Sequence, residues 1–237
     1  MTHPRTGALA LAVLTILTAA PGAALTIGQT DTFEDGTTAG WSVGVGSPVP
    51  PQNIASGGPG GLNDNYLRLR SVGGDGPGSR LVAFNRAQWT GDYVSAGAGA
   101  VAMDVINLDI TDLSLRLVFS AGGGANQAVT QAVNVPSGSG WQSIQFAIEA
   151  ADLIVLSGSA AAALAGASEV RLMHNPLPTF PPPLFVGMVG FDNIELLAGG
   201  ASGVDDAAVP RAAALEAIYP NPFNPRVTVR YALEREG

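Results

Sequence analysis

Apolar residues recur at every second position in one short run after another, and glycine or proline separates the runs. Leu113, Leu115, Leu117 and Phe119 form one such set; Ile144, Phe146 and Ile148 form another. A two-residue period puts each set on one face of a pleated strand. In Tyr66–Val72 the same pattern places Leu67 and Leu69 inward and Arg68 and Arg70 outward. The 31 Gly and 17 Pro supply turns and oppose long helices. One short helix is expected, over Ser157–Gly166, with Ser159 capping its start and Gly166 its end. The chain is therefore expected to be all-β, a sandwich or barrel of short strands with one connector helix.

The closing strand is read at Val189–Leu197, with Asp31–Trp41 as its first-strand partner. Strict alternation puts Asp192 on the face of Ile194 and Leu196, directed inward, where a carboxylate needs a partner. Arg80–Asn85 is expected to pair with Tyr66–Val72 across a glycine-rich turn. Ala98–Ile110 shifts parity near Val105–Ile106, which suggests a bulge or a strand buried on both faces. Gly46–Asn65 and the proline-rich Asn175–Pro183 read as extended loops.

Residues 1–24 read as a signal peptide: Arg5, the apolar run Ala8–Thr18, then the small residues Gly22, Ala23 and Ala24. Residues 25–197 form the main domain and 198–214 a linker. A new alternating pattern begins in 215–237, with Val227, Val229, Tyr231 and Leu233. Removing the leader leaves ten arginines against nineteen acids, a net charge of −9, and the chain has no lysine. That balance argues against nucleic acid as a partner, and the leader is too short for a convincing membrane span. The chain has no cysteine, so disulfides and thiolate metal sites are excluded.

Tyr219, Pro220, Asn221, Pro222, Phe223, Asn224 and Pro225, followed by an alternating strand, resemble the opening of the C-terminal sorting domain of the type IX secretion system. The same opening is similar to the Ig-like domain of flagellar hook-capping proteins. Residues 215–237 supply only the start of such an Ig-like β-sandwich. The resemblance implies export by the type IX machinery to the outer surface of a Gram-negative bacterium. Within 31–197, the Phe33–Trp41 opening, Trp141-Gln142-Ser143, Glu169–Asn175 and Phe191-Asp192-Asn193-Ile194 resemble secreted jelly-roll domains of the galactose-binding-like and carbohydrate-binding kind. That likeness implies a jelly-roll β-sandwich, polysaccharide as a partner and no catalysis. In some such modules a structural Ca²⁺ lies between the first and last strands; the matching positions here are Glu34, Asp35 and Asp192.

Sugar binding needs aromatic faces beside polar groups. Trp41 and Trp141 begin strands and are expected in the core, whereas Trp89 and Tyr93, in a polar stretch, are the expected ligand-binding pair. His174 is expected to pack rather than react. With one histidine left after the leader, a histidine zinc cluster is excluded and no catalytic residue is assigned. Asp104, Asp109 and Asp112 are read as solvated acids rather than a glycosidase pair. Three functions stand: a non-catalytic glycan-binding domain, a structural or adhesive surface protein, and a glycan hydrolase.

Overall fold

The computed structural model describes residues 24–200, and the backbone alone of 213–219 and 228–233. In chain order the strands are β1 (Thr30–Asp31), β2 (Trp41–Ser42), β3 (Gln52–Ile54), β4 (Tyr66–Val72), β5 (Val82–Asn85), β6 (Ala98–Asn107), β7 (Leu113–Ala121) and β8 (Asn126–Val129). They continue as β9 (Val133–Val135), β10 (Trp141–Ala147), β11 (Ile154–Ser157), β12 (Glu169–His174) and β13 (Val186–Ala198), with the helix α1 (Ala160–Ala165) before β12. Two antiparallel sheets result. The first runs β10-β6-β13-β4-β3, with β1 also on β13; the second runs β11-β8-β7-β12-β5-β2, with β9 also on β7.

The alternating sets read from the sequence meet between these sheets. Leu67, Leu69, Val101, Met103, Val105, Phe146, Val189 and Phe191 come from the first sheet. They pack in one cluster with Leu113, Leu115, Leu117, Phe119, Val170 and Leu172 from the second. A smaller cluster of Val118, Val129 and Met173, joined by Phe180, covers the outer face of the second sheet. Arg116 holds the start of the Asn175–Pro183 loop that carries Phe180. The buried guanidinium donates to the carbonyls of Asn175 (2.8 Å), Thr130 (2.8 Å) and Pro176 (3.1 Å). Burial lowers its pKa. The result is the expected all-β jelly-roll sandwich.

β13 is the spine of the first sheet, paired with β6, β4 and β1. Of the expected first strand, Asp31 pairs with Ile194, next to Thr30 on Glu195, whereas Trp41 joins β5 in the other sheet. Arg80–Asn85 does not pair with Tyr66–Val72. β5 pairs with β12 and β2, so the glycine-rich segment between β4 and β5 crosses from one sheet to the other. Period alone does not reveal which sheet a strand joins. The Gly46–Asn65 loop contains β3, which extends the first sheet beside β4. β6 pairs continuously with β10 from Ala100 to Ile106; the bulge lies opposite, in β13 between Asp192 and Glu195. Asn193 makes it with φ of 49°, a conformation asparagine tolerates better than most residues.

α1 is capped as expected, Ser159 Oγ accepting from Ala162 N–H at 3.1 Å. Gly166 ends it with φ of −142°, outside the left-handed region. His174 is buried: Nδ1 accepts from Ser114 N–H at 2.9 Å and the ring lies 4.2 Å from that of Phe185, a packing role.

The chain separates into two compact units, Met1–Ala198 and Gly199–Gly237. In the second, Ala213–Tyr219 and Thr228–Leu233 form an antiparallel hairpin with a register shift between Leu215 and Ala217. Pro220, Asn221, Pro222, Phe223, Asn224 and Pro225 of the sorting motif lie outside the described residues, as does the leader up to Ala23. No helix among the described residues is long and apolar enough to cross a membrane.

Candidate functional site: the outer face of the first sheet

Trp89 and Tyr93, expected at the surface, are buried at 1% exposure each. Trp89 Nε1–H donates to Asp31 Oδ2 at 2.7 Å, and Trp41 Nε1–H donates to the same oxygen at 2.8 Å. Gln88 Nε2 adds 3.1 Å to Oδ1. Asp31 is thus a buried carboxylate held by two indoles and an amide. Burial pushes its pKa up, and the bonds from Trp89, Trp41 and Gln88 oppose that. Tyr93 O–H donates to the Trp89 carbonyl at 2.7 Å, its ring edge-on to Phe119. Burial raises the phenol pKa. Both aromatics serve the core, because each polar tip finds a buried partner.

Trp141, expected in the core, instead lies half-buried on the outer face of the first sheet. Its ring meets Tyr66 edge-on, centroids 5.3 Å apart, and Nε1–H donates to Gly57 O at 2.9 Å. The two residues stand on strands separated by β6 and β13. They meet because Gly190 leaves space between them: a Cβ there would fall 2.7 Å from Ile106 Cγ2 and 3.0 Å from Tyr66 Cδ2 and Cε2. The register aligns Trp141 with Ile106, Ile106 with Gly190, and Gly190 with Arg68. No sequence period marks such a cross-strand pair; the glycine inside an apolar strand was the available signal.

Two and four residues along β4 from Tyr66, Arg68 and Arg70 share this outer face. There a groove of about 540 Å³ opens, lined among others by Pro48, Pro50, Gln52, Arg68, Arg70 and Met188. Arg68 donates to Gln52 Oε1.

Asp192 also belongs to this face. The bulge at Asn193 reverses parity, so Phe191 and Ile194 point into the core while Asp192 points away from it. It is nevertheless buried at 1% exposure, and Asn193 N–H donates to its Oδ1 at 2.7 Å. Desolvation pushes its pKa up to about 7, with Asp64, Glu34 and Asp104 adding to the rise. Asp104, its register partner, accepts from Asn193 Nδ2 at 2.9 Å and from Ser143 Oγ.

Of the three expected calcium positions, Glu34 lies near enough to Asp192 for its charge to act on that carboxyl, whereas Asp35 does not contribute. Asp35 is exposed and accepts from Thr37 N–H (2.8 Å) and Oγ1 (2.9 Å), which lowers its pKa. It starts a turn. Glu34 accepts from Asn65 N–H at 2.8 Å. Asp64, which the sequence reading passed over, contributes charge in place of Asp35 and accepts from Gly60 N–H. Among the described residues no three acidic or histidine groups stand close enough to hold a metal ion as placed.

No family profile matches the chain. No curated protein matches it. Among solved structures, the chain is similar to part of an exo-beta-agarase, with 13% identity and a TM-score of 0.52 over 74% of this chain and 26% of that one. It is also similar to part of a second agarase, with 14% identity and a TM-score of 0.51 over 74% and 25%. The family 11 carbohydrate-binding module from Clostridium thermocellum, in complex with a beta-1,3-1,4-mixed-linked tetrasaccharide, aligns at 14% identity and a TM-score of 0.48, over 73% and 98%. The chain spans about a quarter of the length of the two agarases. The likeness is one of fold.

Proposed function

We propose that this protein is a secreted, non-catalytic glycan-binding domain whose ligand lies on the outer face of the first sheet. The observation that carries the reading is the Tyr66–Trp141 pair, half-buried on that face, with Tyr66 two residues along β4 from Arg68 in the groove wall. Aromatic rings beside hydrogen-bonding side chains give a sugar both an apolar platform and orientation. Binding rather than hydrolysis is favoured because Asp104 is engaged by Ser143 and Asn193 and Asp192 is covered. Export rests on the leader-like 1–24 and on the motif Tyr219–Pro225, with the type IX machinery as partner and the outer cell surface as destination. Retention of the full chain on a panel of insoluble polysaccharides tests the binding. Wild type is retained on at least one, and Trp141→Ala and Tyr66→Ala are not, with unchanged circular dichroism. No retention of wild type on any of them would favour a structural or adhesive role without a ligand.

We also keep a structural Ca²⁺ as a second reading, now around Asp192 with Glu34 and Asp64 rather than Asp35. What supports it is the surplus of negative charge at a buried carboxylate, which a hard oxygen-seeking cation would relieve. The groups would have to draw together around the ion. A rise in melting temperature with millimolar Ca²⁺ in wild type but not in Asp192→Asn tests it; no rise removes the ion from the account.

A further inference from the structure

We propose that the groove selects polysaccharides carrying carboxylate or sulfate groups, with Arg68 and Arg70 as the residues that read the charge. The inference rests on the glycan-binding reading and adds a ligand class to it.

An arginine that neither pairs with an acid nor is used up on backbone carbonyls keeps its charge available to a ligand. Among the described residues the ion pairs are those of Glu169 with Arg86 and Arg171. Arg116 is spent on three backbone carbonyls and Arg80 on the carbonyl of Pro182. Among the described residues, neither Arg68 nor Arg70 has a carboxylate within ion-pair distance. They project from the same face of β4, Arg70 exposed and Arg68 half-buried. Two strand residues at that spacing are about 7 Å apart. Gln52 Oε1 accepts from Arg68, which fixes one guanidinium at the groove wall. Asp109 also lines the groove, but its Oδ1 accepts from Ile110 N–H at 2.7 Å and it makes no ion pair with either arginine.

A planar guanidinium presents paired N–H donors that match a carboxylate or a sulfate ester two-pronged. A neutral sugar hydroxyl uses that fork less well. Pro48, Pro50 and Met188 supply apolar surface for the sugar ring beside the charged contact. The net negative charge of the chain as a whole disfavours a polyanion that arrives elsewhere on average.

The test uses two matched pairs of glycans: polygalacturonate against its methyl ester, and a sulfated galactan against its neutral counterpart. Binding of the full chain is measured by affinity electrophoresis at low salt and again at 1 M NaCl, where the Debye length is about 3 Å. The charged member of at least one pair should bind about tenfold more tightly at low salt, an advantage that 1 M salt removes. The pair that responds separates uronate from sulfate. Arg70→Gln and the double change Arg68→Gln, Arg70→Gln should abolish the preference for the charged member over the neutral one. Equal binding of charged and neutral members, or an advantage that survives the double change, overturns the inference while leaving glycan binding in place. Failure to bind any of the four, or the polysaccharides of the retention panel, overturns the underlying reading as well.

Discussion

Replacing Asp192 by Asn is expected to stabilise the fold at pH 8 in EDTA. The carboxyl is 1% exposed and receives a hydrogen bond from Asn193 N–H. Desolvation first, then the charges of Asp64, Glu34 and Asp104, raise its pKa from 3.8 to about 7. The folded chain therefore holds this proton more tightly than the unfolded chain. The resulting contribution to stability is full below pH 3.8 and is lost as the pH rises towards 7. At 1.36 kcal/mol for each pKa unit, the displacement amounts to about 4 kcal/mol. Asparagine keeps the oxygen that accepts from Asn193 and carries no charge. Urea unfolding of wild type and variant in EDTA should show no difference at pH 3, and by pH 8 an advantage of up to about 4 kcal/mol for the variant. Comparing the two proteins cancels the titration of other acids. A variant less stable than wild type at pH 8 in EDTA would refute the picture of an uncompensated buried acid.

Asp31→Ala should cost about 2–4 kcal/mol in urea unfolding, because two buried indole N–H groups and the Gln88 amide lose their shared acceptor. Arg116→Met leaves three carbonyls without their donor and should cost about 2–4 kcal/mol; limited proteolysis should cut earlier within 175–183. Gly190→Ala should leave the fold cooperative but push Tyr66 away from Trp141, and glycan retention should fall with it.

The sandwich and its inward faces were legible because Leu67, Leu69 and Leu113–Phe119 obey a strict two-residue period that burial enforces. The site was less legible, for two physical reasons. A single extra residue at Asn193 reverses the parity of β13, so the acid assigned to the core face lies on the opposite face. Trp89 and Tyr93 sit among polar neighbours in the sequence, yet their polar atoms find Asp31 and the Trp89 carbonyl inside the protein. Local polarity does not report a partner that is distant in sequence, such as Asp31 for Trp89. The outward alternation of Arg68 and Arg70 was readable; that neither has an acidic partner among the described residues required the packed structure.

The most direct test of the central claim follows the three tryptophan indole N–H resonances of the full chain as an oligosaccharide from a retained polysaccharide is added. Trp41 and Trp89 donate to buried Asp31, whereas Trp141 donates to Gly57 on the outer face. The account predicts that the Trp141 resonance shifts with ligand and the other two stay in place. An unmoved Trp141 resonance during saturable binding would contradict it and place the sugar elsewhere.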